Sequence, residues 1–187
     1  RPEAIKMCPL VNELRSRKDK FEVSVCVTGQ HKEMLDQVLS VFEVIPDYNL
    51  EIMRPNQSLF DITCDMLRKL EPVLLKEKPD LVLVHGDTTT SFAATLASFY
   101  VGARIGHVEA GLRTHNLRSP WPEEFNRQVV DIASDYLFAP TARAKENLLK
   151  EGKDPQKIFV TGNTAIDVLR YTVKEDHRFS QGALREI

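Results

Sequence analysis

The stretch DLVLVHGDTTTSFAATLASFYVGARIGHV, residues 80–108, decides the fold. Asp80–His85 is an apolar run of strand length with no polar alternation, which marks a strand buried on both faces. Thr88–Tyr100 is rich in alanine and long enough for a helix, and Arg104–Val108 is a second apolar run. Strand, helix and strand in about 30 residues make a βαβ unit, whose crossover requires parallel pairing.

Outward from that unit the alternation continues. A helix is predicted over Pro122–Ala133, a strand over Tyr136–Ala139, a helix over Thr141–Glu151, a strand over Lys157–Thr161 and a helix over Asn163–Val173. Toward the N-terminus, Ser58–Lys76 reads as an amphipathic helix with Ser58 and Asp61 spaced as a capping box. Tyr48–Ile52 and Phe21–Thr28 read as strands on either side of a helix over His31–Val44. The first helix opens at Arg1-Pro2-Glu3, with Pro9 limiting how early it is regular. The fold class is therefore α/β: one Rossmann-like, doubly wound parallel sheet with helices on both faces.

Composition excludes several function classes. The chain has 187 residues, 42% hydrophobic and 28% charged, with a formal net charge of -2, so nothing indicates a nucleic-acid or anionic-membrane partner. No apolar run approaches the roughly 20 residues of a membrane helix. Cys8, Cys26 and Cys64 lack metal-ligand spacing and read as reduced thiols of a cytoplasmic protein. No zinc-type cluster is present, and the glycine-rich dinucleotide fingerprint is absent, so neither a metal nor a nicotinamide cofactor is expected.

In a doubly wound sheet, ligands bind outside the carboxyl ends of the strands. Gly29, Gly86, Glu109 and Gly162 fall at or just after those ends. Asp87 ends one strand, although the same residue fits as cap of the following helix. Glu109 ends the next strand before an Ala110-Gly111 turn; its bland reading is a salt bridge to Arg113. Glu123 follows the stiff Pro120-Trp121-Pro122 entry, and otherwise serves as a first-turn charge or an ion pair with Arg127. Carboxylates gathered at one edge repel, which raises at least one pKa and separates acid from base. Arg1, Lys6, Arg113 and Arg127 form a possible basic lining for phosphate, whereas His85 and His107 read as satisfied core histidines.

Six motifs then occur in order: Arg1-Pro-Glu-Ala-Ile-Lys6, Gly29-Gln-His31, Gly86-Asp-Thr-Thr-Thr90, His107-Val-Glu-Ala-Gly-Leu-Arg-Thr114, Pro122-Glu-Glu-Phe-Asn-Arg127 and Thr161-Gly-Asn-Thr164. Together they closely resemble the N-terminal half of the bacterial non-hydrolysing UDP-N-acetylglucosamine 2-epimerases, from Arg1 to about Lys174. The resemblance implies one half of a GT-B type two-domain fold. Residues 1–174 form its N-terminal domain, and 175–187 an unassigned tail or the start of an interdomain connection. It implies interconversion of UDP-GlcNAc and UDP-ManNAc without a redox cofactor, by anti elimination of UDP to 2-acetamidoglucal and re-addition with inversion at C2. The matching positions make Asp87, Glu109 and Glu123 catalytic without dividing the steps among them, and place Arg1, Lys6 and Arg127 against the substrate. Gln30 and Gln57 match an allosteric site for a second UDP-GlcNAc, but Glu33 and Asn56 depart from its usual Gln and Arg. A homodimer serving cell-surface polysaccharide biosynthesis is the family's usual form.

Two departures shape the expectations. The family's first strand, interior to the sheet, and its C-terminal domain have no counterpart in these residues, which implies a fragment or part of a longer chain with unpaired strand edges. The competing readings are the hydrolysing enzyme, which releases ManNAc and UDP, and a catalytically inactive sugar-nucleotide-binding fragment.

Overall fold

Each apolar run of the deciding stretch pairs with the next in register. In the computed structural model, which describes residues 2–29 and 32–172, β3 (Leu81–His85) lies parallel to β4 (Arg104–Val108), with His85 opposite Val108. β4 pairs in turn with β5 (Tyr136–Ala139), and β5 with β6 (Ile158–Val160), giving a four-stranded parallel sheet in the order β3-β4-β5-β6. The intervening helices are α4 (Thr89–Tyr100), α5 (Glu123–Ala133) and α6 (Ala142–Lys150). Gly106 belongs in the interior strand because a Cβ there would meet the Leu83 side chain at 2.7 Å and Phe138 at 3.1 Å.

The remaining strands are shorter than their sequences predict. β1 is only Cys26–Val27 and β2 only Tyr48–Asn49, paired in a separate two-stranded parallel sheet. The β-branched run of 21–28 was expected to be strand throughout. The carbonyls of Val25, Val27 and Thr28 do accept N–H groups from residues 47–52, but β1 has a strand partner on one side only among the described residues. β3 is an edge in the same sense. The sheet is thus parallel and helix-flanked as expected, but hydrogen-bonded in two pieces.

α1 (Pro2–Ser16) runs straight through Pro9, contrary to the expectation of a late start. α2 (Lys32–Val41) and α1 bury Cys8, Leu35, Leu39 and Phe42 together with Val25 and Val27. α3 (Leu59–Glu77) is fixed at its start by the expected Ser58–Asp61 capping box and packs Met66, Leu70 and Leu74 on Ile52 and on Ala93 and Ala97 of α4. α7 (Thr164–Thr172) closes the described chain and packs on α1. Arg1, Gln30, His31 and residues 173–187 lie outside the described residues.

Candidate active site at the strand ends

Two left-handed residues turn the chain out of β3 and β4 and set up the site. Gly86 (φ 70°) follows β3, and its N–H is held by the Val108 carbonyl at 3.0 Å. Glu109 follows β4 at φ 73°, a conformation rare for a residue with a side chain, and its N–H donates to Phe138 O of β5. The turn is completed by Gly111 (φ 82°), where a Cβ would lie 2.3 Å from the Ala144 carbonyl of α6.

The expected alternative role for Asp87 does not hold. Thr88 caps α4, its hydroxyl accepting the Ser91 N–H at 3.2 Å, and this leaves the Asp87 carboxylate for the strand edge. There Arg127 Nη2 meets Asp87 Oδ2 at 2.6 Å, and Asn126 Nδ2 donates to the Asp87 carbonyl at 3.0 Å. Arg127 therefore pairs across to Asp87; its helical neighbour Glu123 receives only a long backbone contact of 3.4 Å from it. Burial raises the Asp87 pKa, Arg127 lowers it, and the charges of Glu123 and Glu109 raise it again, so the net shift is upward.

Glu109 is held differently. Its expected alternative partner, Arg113, is elsewhere; Lys6 of α1 donates to Glu109 Oε2 at 2.7 Å. His85 Nε2 lies 3.3 Å from the same oxygen, and neither ring nitrogen is satisfied by another described residue. His85 is consequently not the satisfied core histidine expected. Its ring lowers the Glu109 pKa most, burial opposes, and Lys6 adds to the lowering, which leaves the group at about 2. The result is one carboxylate pushed up and one pushed down in reach of each other's charge.

α5 delivers the third carboxylate and anchors its surroundings. Glu123 opens the helix and is partly exposed, while Glu124 beside it is fully buried. Glu124 accepts the N–H groups of Thr114 and His115 at 3.0 and 3.1 Å and the Gln128 amide at 2.8 Å, so it holds the loop between β4 and α5. Arg113 also leaves the predicted basic lining. Its buried guanidinium contacts Asp131 Oδ2 at 2.7 Å and grips Glu151 through Nε and Nη2, each at 2.7 Å.

The site thus brings together Lys6, Asp87, Glu109, Glu123 and Arg127, and adds His85. Gln57 lies apart and its amide is occupied: Oε1 accepts the Arg54 N–H at 2.5 Å, and Nε2 donates to Ile52 O at 2.7 Å and Asp65 at 3.2 Å. Among the described residues no group of three or more His, Cys, Asp or Glu side chains is placed to hold a metal ion, and no helix is long and apolar enough to cross a membrane. Residue reasoning missed Asn126, Asp131 and the loop-holding role of Glu124. A signal existed, since Glu124, Arg127 and Asp131 recur at three and four residues on one face of α5. Chemically, two neighbouring carboxylates displaced in opposite directions and flanked by two cations suit proton transfer on a substrate with an anionic leaving group.

Comparison with known proteins supplies the context. Residues 12–186 match the family model described as UDP-N-acetylglucosamine 2-epimerase. A Yersinia pestis UDP-N-acetylglucosamine 2-epimerase is 60% identical over 169 residues, covering 90% of this chain and 45% of that protein. The crystal structure of the Neisseria meningitidis UDP-GlcNAc 2-epimerase bound to UDP-GlcNAc is similar with a TM-score of 0.87 and 56% identity, over 91% of this chain and 46% of that one. A Listeria monocytogenes structure described as a putative UDP-N-acetylglucosamine 2-epimerase gives a TM-score of 0.92 and 57% identity, over 96% and 47%. The chain spans about half the length of the relatives it matches.

Proposed function

This chain belongs to the UDP-N-acetylglucosamine 2-epimerase family, and we propose that the intact protein interconverts UDP-GlcNAc and UDP-ManNAc by elimination and re-addition of UDP. The observation that carries the reading is geometric: two neighbouring carboxylates at one strand edge, Glu109 2.7 Å from Lys6 and Asp87 2.6 Å from Arg127, with their pKa values shifted down and up respectively. A reaction that removes a proton from one face of C2 and returns one to the other needs such a division of roles.

Glu109 takes the C2 proton as the C1–O bond to the diphosphate breaks. The bonding pair leaves with UDP, and 2-acetamidoglucal remains with a C1–C2 double bond. Asp87, in its protonated form, then delivers a proton to C2 on the opposite face while a diphosphate oxygen re-forms the bond to C1. In the reverse direction the two exchange roles. No electrons are gained or lost overall, so the sequence of steps requires no redox cofactor. Lys6 and Arg127 meet the diphosphate and stabilise its departing charge. Arg1, by its match to the family motif, joins them. The incoming diphosphate also offers Lys6 a second anion, which loosens its hold on Glu109 and raises the basicity of that carboxylate when substrate is present. The charge of Glu123 adds to the upward shift of the Asp87 pKa.

The family resemblance adds UDP-ManNAc as product, a homodimer, a cytoplasmic setting and supply of a cell-surface polysaccharide to this proposal. Gln30 and Gln57 stand in it as contacts for a second UDP-GlcNAc. For Gln57, binding entails release of the loop contacts that its amide now makes.

The intact protein incubated with UDP-GlcNAc in heavy water is expected to yield UDP-ManNAc and to place deuterium at C2 of both sugars. Absence of both exchange and product overturns the reading. Accumulation of free ManNAc with UDP establishes the hydrolysing reaction in its place.

A further inference from the structure

Beneath the open carboxylates lies a second polar cluster that these steps do not use. His107 of β4 and Asp131 of α5 are both fully buried. His107 Nδ1 lies 2.6 Å from Asp131 Oδ1, and Nε2 lies 2.8 Å from the carbonyl oxygen of Gly86. A carbonyl oxygen has no proton to give, so Nε2 carries one. Asp131 Oδ2 already accepts the Gly111 N–H at 3.1 Å and touches Arg113 at 2.7 Å. Any proton on Asp131 would have to sit on Oδ1, facing His107. A carboxylate in direct contact with a guanidinium is strongly biased to its ionised form, which leaves that proton on Nδ1. The other charges facing the pair are Glu151, which binds the far side of Arg113, and Lys153, whose charge acts on Asp131.

The pair touches each segment that bears a proposed reacting group. Through His107 it holds the carbonyl of Gly86, one residue before Asp87. Through Asp131 it holds the N–H of Gly111, two residues after Glu109. Both side chains act on α5, the helix that begins with Glu123 and whose Asn126 holds the Asp87 carbonyl. We propose that His107 is a buried imidazolium paired with Asp131, and that the two are positioning residues fixing Asp87, Glu109 and Glu123 relative to one another. The positioning role rests on the carboxylate assignment made under the proposed function; the charge state does not.

Two measurements test this. Nitrogen-15 NMR of the wild-type protein at about pH 7.5 is expected to show both ring nitrogens of His107 protonated, since each faces an acceptor oxygen. An unprotonated ring nitrogen at about pH 7.5 overturns the ion pair. In the intact enzyme, Asp131→Asn keeps an oxygen for the Gly111 N–H but removes the charge. The expected result is a fall in kcat of about 100-fold, with KM within about threefold, and one unprotonated nitrogen on His107. Unchanged kcat, or a loss confined to KM, overturns the positioning role. Where Asp131→Asn does not fold, His107→Gln, which keeps an N–H donor for Gly86, is read by the same division between kcat and KM. Failure of the wild-type enzyme to exchange at C2 would remove the carboxylate assignment, while the spectrum would still decide the charge on His107.

Discussion

Two ionic clusters meet at the end of β4, built from the same residue types and opposite in character. In the open cluster the side chains of Asp87 and Glu109 are 32% and 16% exposed, and each is paired through a single oxygen, to Arg127 and Lys6. In the closed cluster the side chains of His107, Arg113 and Asp131 are 0% exposed, and both oxygens of Asp131 are engaged. Composition does not separate a reacting site from a scaffold; the partners left over do. The open carboxylates keep an oxygen with no side-chain partner among the described residues, which is the capacity a substrate proton requires. The closed carboxylate has none to spare, which is what rigidity requires.

The contrast breaks if substitutions in the two clusters act alike. The largest effect is expected for turnover of the intact protein. Glu109→Gln should slow elimination from UDP-GlcNAc by about a thousandfold, measured as release of 2-acetamidoglucal and UDP. Asp87→Asn should still eliminate from UDP-GlcNAc but fail to complete epimerisation. Equal loss in both half-reactions would show that the carboxylates do not divide the work. Asp87→Asn should lower the urea unfolding stability by no more than about 1 kcal/mol, whereas Glu109→Gln should cost about 2–3 kcal/mol at neutral pH, because it also removes the charge that Lys6 and His85 hold.

In the closed cluster the order reverses, with stability moving first. Arg113→Ala strands two carboxylates, Asp131 and Glu151, and should cost about 4 kcal/mol in urea unfolding. A cost below about 1 kcal/mol would place Arg113 among ordinary surface pairs. Gly111→Ala puts a methyl group against the Ala144 carbonyl at a positive φ and should cost about 3 kcal/mol.

The smallest effect is one of pH. Glu109 has its folded pKa lowered to about 2, so its stabilising contribution is present above its unfolded pKa of about 4.3 and is lost as pH falls through about 2. Asp87, raised on folding, acts in the other sense: the fold disfavours its ionised form, and acid relieves that cost. Glu109→Gln should therefore flatten the acid limb of the stability curve, and Asp87→Asn should not. An unchanged limb in Glu109→Gln would show that Lys6 and His85 do not hold this carboxylate in solution.

How much of this was legible in the sequence depended on what set each feature. β3, β4 and β5 matched their apolar runs closely, because interior parallel strands write their burial into a local pattern. Phe21–Thr28 carried the same composition, yet only Cys26–Val27 is strand, because strand length also depends on partners that no local pattern contains. Asp87 and Glu109 were placed at one edge by chain order, since strand ends in a parallel sheet share an edge; Lys6, Glu123 and Arg127 stand on helices, and it was the family motifs that joined them to that edge. The choice of partner was not legible. Whether Arg113 meets Glu109 or Asp131 depends on a turn at Gly111 that only the packed α6 defines. α5 hid best of all: it buries Glu124, Asn126 and Asp131 while leaving Phe125 45% and Ile132 71% exposed, the reverse of what an apolar-face rule assigns.

The left-handed backbone at Glu109 carries a lesson for anyone engineering this protein. A glutamate at φ 73° costs on the order of 1 kcal/mol relative to glycine, which occupies that region freely. Glu109→Gly would relieve that strain, but it would also give up the ion pair with Lys6 and the proposed proton acceptor, so the strained residue is the more stable choice at neutral pH. A thermostabilisation campaign that replaces left-handed residues by glycine should therefore leave position 109 alone.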